Sequence, residues 1–202
     1  MSQTVNNVSR TSPRQVSPEN RSICRKRAPT REEMKAVFRM CRSDQWDSVL
    51  NSIRSNSLIA TTTMTMDNNI ATTVLHQAIT SKADTKKRAW VIQEVLRISC
   101  GNAATIKNGY GSLPLHVISQ RNTKMDAKTK EILIRDLVEA YPDSITCQGG
   151  VGKRTPLHII FTGKSNCFHS RIDSQCHALL LEISQIFFFA YQITFRQILL
   201  QS

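Results

Sequence analysis

Long apolar runs, regularly spaced cysteines and acidic residues are all scarce in this chain of 202 residues. The most apolar segment, residues 178–200, has only 13 uncharged residues between Glu182 and Arg196, with Ser184, Gln185 and Gln192 among them. A bilayer span asks for about 20 apolar residues. The six cysteines (Cys24, Cys41, Cys100, Cys147, Cys167 and Cys176) are irregularly placed, and no apolar signal segment opens the sequence. That combination argues against the disulfide framework of a small secreted domain. Free thiols in a reducing compartment are expected, so the chain reads as intracellular, cytoplasmic or nuclear, with Cys41 and Cys100 as small core residues.

Acids are outnumbered by 27 Lys and Arg to 15 Asp and Glu, for a net charge of +12. Seven of the basic residues fall within residues 1–31, against Glu19 alone. Residues 1–29 are rich in Ser, Arg, Pro and Asn and have no apolar period, so they cannot bury enough surface to offset the entropy of ordering. They are expected to be a disordered basic tail. Arg25-Lys26-Arg27 has the form of a short nuclear import signal, but basic tripeptides are common and a solvated charge cluster accounts for it better.

From Thr30 onward the helical period appears. Thr30 and Glu33 have capping-box spacing, and Met34, Val37, Phe38 and Cys41 follow at i, i+3, i+4 and i+7. A second helix carries Trp46, Val49, Leu50 and Ile53 behind a cap at Ser43 or Asp44. Residues 55–72 read as a polar connection. Longer helices are expected after Asp84 or Thr85, ending at Gly101, and after Asp126, ending at Pro142. The first carries Ala89, Ile92, Val95, Leu96 and Ile98; the second carries Ile132, Leu133, Ile134, Leu137 and Val138.

A tetrapeptide sets the phase of the whole. Thr155-Pro156-Leu157-His158 has partners in Leu113-Pro114-Leu115-His116, 42 residues before it, and Thr73-Val74-Leu75-His76, 40 residues earlier still. Thr caps a helix, Pro takes the first helical position where its missing N–H costs nothing, and Leu enters the core. Spacing this regular indicates a repeat array.

A short helix opened by this tetrapeptide, a turn, a longer helix and a loop rich in Gly or Asn together resemble the ankyrin repeat over roughly residues 44–163. The period of 40–42 exceeds the usual ~33, so the units are enlarged. The resemblance implies an all-α solenoid of stacked helix-turn-helix repeats. The expected organisation is a tail over 1–29, an array over 30–163, and a partial last repeat or apolar C-terminal tail over 164–202. It also implies structural roles for Thr73, Leu75, His76, Pro114, Leu115, His116, Thr155, Pro156, Leu157 and His158, with the histidines bonding backbone between units.

Three chemical motifs are weighed and set aside. Gly149-Gly150-Val151-Gly152-Lys153 resembles a phosphate-binding loop, but that loop needs Ser or Thr directly after Lys and a Gly where Cys147 stands. Arg154 follows Lys153, so a glycine-rich loop between units explains the stretch better. Cys167, His169, Cys176 and His177 lack the spacers of a zinc site. The three motif histidines have no nucleophile or orienting carboxylate beside them.

No cofactor and no catalysis are therefore expected. Lys82, Lys86, Lys87 and Arg88 in one unit, Arg121, Lys124, Lys128 and Lys130 in the next, and Lys164 and Arg171 in the last would line one edge as a basic ridge facing an acidic partner, with ordinary solvated loop charge as the alternative. The function expected is protein–protein recognition by a monomer, with nucleic acid or an anionic surface as the second reading. Residues 178–200 could alternatively contact a membrane.

Overall fold

The computed structural model describes residues 27–65, 70–120, 123, 125–162 and 185, and these are mostly helical. Residues 1–26, Arg121, Lys124, Lys164, Arg171, the Cys167–His177 cluster and nearly all of 178–200 lie outside the described residues. Among the described residues, no helix is long and apolar enough to cross a membrane.

Helix α1 (Arg31–Arg42) starts at the expected capping box: Thr30 Oγ1 accepts from the Glu33 amide at 3.2 Å, and Glu33 Oε2 accepts from the Thr30 amide at 2.7 Å. Two otherwise orphaned N–H groups are satisfied, and the acids Glu32 and Glu33 face the positive helix end. Arg27, assigned to the tail by composition, pairs with Glu33 at 2.6 Å, and its carbonyl accepts from Asn56.

Helix α2 (Trp46–Ser55) starts differently from expectation. Gln45 is its N-cap and makes no side-chain cap bond. Asp44 instead turns left-handed (φ 54), accepting the Trp46 indole N–H at 3.1 Å and the Ser81 hydroxyl at 2.8 Å. Trp46 is fully buried, and its N–H needs a partner more than the exposed helix start does.

The supposed polar connection contains a helical turn, α3 (Leu58–Thr61), that buries Ile59 and Ala60, and a two-stranded hairpin. In the hairpin, Met64 faces Thr72 and Thr65 faces Ala71, antiparallel. Segments this short have no room to display a period.

Two pairs of a short and a long helix follow: α4 (Val74–Thr80) with α5 (Thr85–Ile98), and α6 (Pro114–Ser119) with α7 (Ala127–Ala140). Asp84 and Asp126 cap the long helices, accepting from Lys86 and Lys87 in one case and Thr129 in the other. Past α5, Cys100 and Gly101 both take positive φ, and a 3₁₀ turn, Asn102–Thr105, inserts Ala103 and Ala104 into the core. Cys100 is exposed, against expectation: the left-handed turn aims it away from the core, whereas Cys41 is buried. After α7, Pro142 opens a 3₁₀ turn rather than only ending the helix. A short helix, α8 (Pro156–Thr162), follows.

The helices form two layers. The short helices pack in the order α4, α6, α8, with α1 against α4, while α2, α5 and α7 pack in that order behind them. The core lies between the layers. Leu50, Ile53, Val91, Ile92, Leu133 and Ile134 come from the long helices, and Leu75, Ile79, Leu115 and Ile118 from the short ones.

Candidate interaction surface

The three copies of the tetrapeptide place His at the third residue of α4, α6 and α8. His76 Nε2 lies 3.0 Å from the Ser112 carbonyl, and His116 Nε2 lies 3.0 Å from the Cys147 carbonyl. A carbonyl can only accept, so Nε2 carries the proton in both rings. Nδ1 of His76 then accepts from the Thr73 hydroxyl at 2.8 Å, while that hydroxyl oxygen accepts the His76 amide. Where Leu113 replaces Thr, Nδ1 of His116 accepts the Leu113 amide directly at 3.3 Å. Thus the Leu113 amide replaces the missing hydroxyl as donor to the ring, and the His116 amide donates to the Leu113 carbonyl at 2.9 Å instead. Burial pushes His76 down to about 4 and His116 in the same direction, so both are held neutral. His158 repeats the bond to its Thr at 2.7 Å but is exposed.

Other bonds also recur at matching helix positions. The ninth residue of α2, Arg54, donates to the tenth of α5, Glu94, at 2.8 Å. The ninth of α5, Gln93, donates to the tenth of α7, Asp136, at 2.8 Å. Arg97 also pairs with Glu94, and hydrogen bonds from Arg97 and Arg54 hold that carboxyl down at about 2. The fourth residue of α5, Arg88, donates to the carbonyl of Ser81, the C-cap of α4. The fourth of α7, Lys130, donates to the carbonyl of Gln120, the C-cap of α6, and burial pushes it down to about 8.

These bonds divide the basic ridge. Arg88, expected at a partner surface, is buried and engaged with backbone, so it does not face a partner. Its guanidinium satisfies a helix end, as the ammonium of Lys130, also expected on the ridge, does at the end of α6. Lys87 pairs with Asp47 at 3.3 Å. Lys82, Lys86 and Lys128 are exposed.

The apolar stripe of α7 also needs correction: Ile132 is 41 % exposed, while Leu133, Ile134, Leu137 and Val138 are buried. Trp90, at the same sixth position of α5, is 43 % exposed. Neither surface position was identified from sequence. The available signal was phase: both side chains fall outside the stripe that continues through 91, 92, 95 and 96 in α5 and 133, 134, 137 and 138 in α7.

The glycine-rich stretch closes a tight turn. Gly149 and Arg154 exchange backbone bonds at 3.0 Å, and the Lys153 amide donates to Gly150 at 3.1 Å. Three amides of the stretch, those of Gly149, Lys153 and Arg154, are thereby engaged within the turn. The loop over residues 108–111 packs on the hairpin, where Gly109 donates to Ala71 at 2.6 Å and a Cβ at Gly109 would come within 2.7 Å of the Ala71 nitrogen. At the C-terminal ends of α5 and α7, Arg97, Cys100, Asp136, Glu139 and Ala140 line an open groove of about 580 Å³. Among the described residues, no three His, Cys, Asp or Glu side chains come together to hold a metal ion.

No protein-family model, curated protein or solved structure matches the chain.

Proposed function

We propose that this chain is a non-catalytic protein–protein interaction scaffold, built as a solenoid of enlarged ankyrin-like repeats. The reading is carried by the recurrence of corresponding bonds at equivalent helix positions: the two Nε2-to-carbonyl contacts, the two ninth-to-tenth contacts, and the two fourth-residue contacts to a C-cap. Unrelated helix pairs have no reason to share hydrogen-bond positions, whereas stacked copies of one unit do. In such an array each unit buries its apolar stripe against its neighbours and leaves helix faces and loop tips free to recognise a partner. Assignment to the cytoplasm or nucleus and to a monomer belongs to the same proposal.

A second reading, binding to nucleic acid or another anionic surface, is supported by exposed Lys82, Lys86 and Lys128 and by the concentration of positive charge before residue 31. Salt separates the two readings. Affinity capture with the full chain at about 50 and 200 mM salt is expected to retain a protein partner, with binding lowered several-fold at most. A linear fall of log affinity with log salt on duplex DNA, amounting to about a thousandfold over that range, would decide for the second reading.

A further inference from the structure

Helices α2, α5 and α7 run side by side in the same direction. The ninth-to-tenth bonds recur between them, and Gly101, just past the end of α5, abuts Ala140 at the end of α7. Equivalent positions of α5 and α7 are therefore neighbours across the seam, at the ~8–10 Å spacing of packed helices. The sixth positions are Trp90 and Ile132; one turn earlier, the second positions are Lys86 and Lys128. All four are exposed.

The outcome is a small rectangle, with two apolar side chains on one edge and two ammonium groups on the other. Acids near it are already engaged: Asp84 and Asp126 cap the helix starts, Glu131 pairs with Arg135, and Asp136 accepts from Gln93. Lys82 extends the positive edge.

We infer that this face of α5 and α7 docks an acidic peptide segment, which places carboxylates against Lys86 and Lys128 and inserts one apolar side chain between Trp90 and Ile132. The inference rests on the scaffold reading and gives it a surface and a partner chemistry. Charge complementarity sets the acidic character. The apolar pair sets the anchor: a Trp amid positive charge can bury a large area at low entropic cost, as interface hot spots do. A nucleic-acid strand fits less well, because Ile132 offers no ring for a base to stack on and no second exposed aromatic lies beside Trp90 among the described residues.

Of the two tryptophans in the chain, Trp46 is fully buried, so Trp90 dominates any change in solvent-sensitive emission. The full chain is titrated with a synthetic peptide of Glu and Asp around one Leu, with the same peptide carrying Ser for Leu, and with an oligothymidylate of equal charge. The Leu peptide is expected to shift the emission to shorter wavelength and shield it from acrylamide. Lys86→Glu with Lys128→Glu should weaken it about tenfold or more, and Ile132→Ser several-fold, with thermal melting unchanged. Lys107→Glu with Lys153→Glu, the same charge change placed on exposed loops, should leave affinity within about twofold, the residue of long-range attraction.

Unmoved emission overturns the inference, as does equal affinity for the Ser peptide. A loop reversal as costly as the helix reversal overturns this surface while leaving the scaffold reading intact. Tighter, steeply salt-dependent binding of the oligothymidylate overturns both.

Discussion

His76 is a neutral donor in a site that has no room for a second proton. Its Nε2–H is fixed by the Ser112 carbonyl and its Nδ1 is occupied by the Thr73 hydroxyl. Burial lowers its pKa from 6.5 in the unfolded chain to about 4. Between those values the unfolded chain binds a proton that the folded one does not. The contribution to stability is thus fully present above about pH 6.5, lost as pH falls toward 4, and constant below. The full loss is roughly 3 kcal/mol, of which about 2 is expected between pH 7 and pH 5. His116, also held below its ordinary value, adds in the same direction. Urea midpoints measured across this range for the parent and His76→Gln test the assignment: the variant should lose most of the slope, and an unchanged slope rules His76 out as its source.

Caps are the clearest link from residue to element. Asp126 accepts the Thr129 amide at 2.9 Å, and Asp126→Ala should destabilise the fold by about 1 kcal/mol. Gly101→Ala should cost a similar amount or more, because φ is +79° and the added Cβ would come within 3.3 Å of the Ala140 carbonyl oxygen. A shift in urea midpoint reads both, and a stabilising Gly101→Ala would mean that this backbone is not strained by a side chain.

The contrast with α2 explains which element boundaries can be read directly. Thr30, Asp84 and Asp126 bond amides within three residues, so their role is written in adjacent sequence. Asp44 was the natural cap for α2, yet it serves the Trp46 indole and Ser81, a residue 37 positions away. Likewise, nothing local reveals that Arg88 donates to the end of the preceding helix, or that Ile132 lies one step outside the buried stripe. Helix existence depended on local periodicity. Exposure at the candidate surface depended on which neighbours each helix face meets.

At the scale of the molecule, the helices of the proposed array are unequally buried. Helix α5 is packed between α2 and α7 and contributes Val91, Ile92 and Val95, all fully buried. Helix α8 meets α6 and the 3₁₀ turn Pro142–Ile145; its Leu157, Ile159 and Ile160 are only partly covered, and His158 is exposed. In a linear stack, stability is a sum of unit and nearest-neighbour contributions, so a helix whose apolar residues are only partly covered opens more readily than one whose apolar residues are fully buried. Native-state amide exchange should therefore show the slowest amides in the middle of α5. The amides of α8 should exchange at least tenfold faster, a difference of about 1.4 kcal/mol in opening free energy. His116→Ala removes the ring that bonds the backbone between α7 and α8 and leaves the Cys147 carbonyl without its partner. It should accelerate α8 more than α2. Equal protection in α8 and α5, or acceleration spread evenly over every helix, would mean that the chain opens as one block, and the additive picture of stacked units would have to be given up.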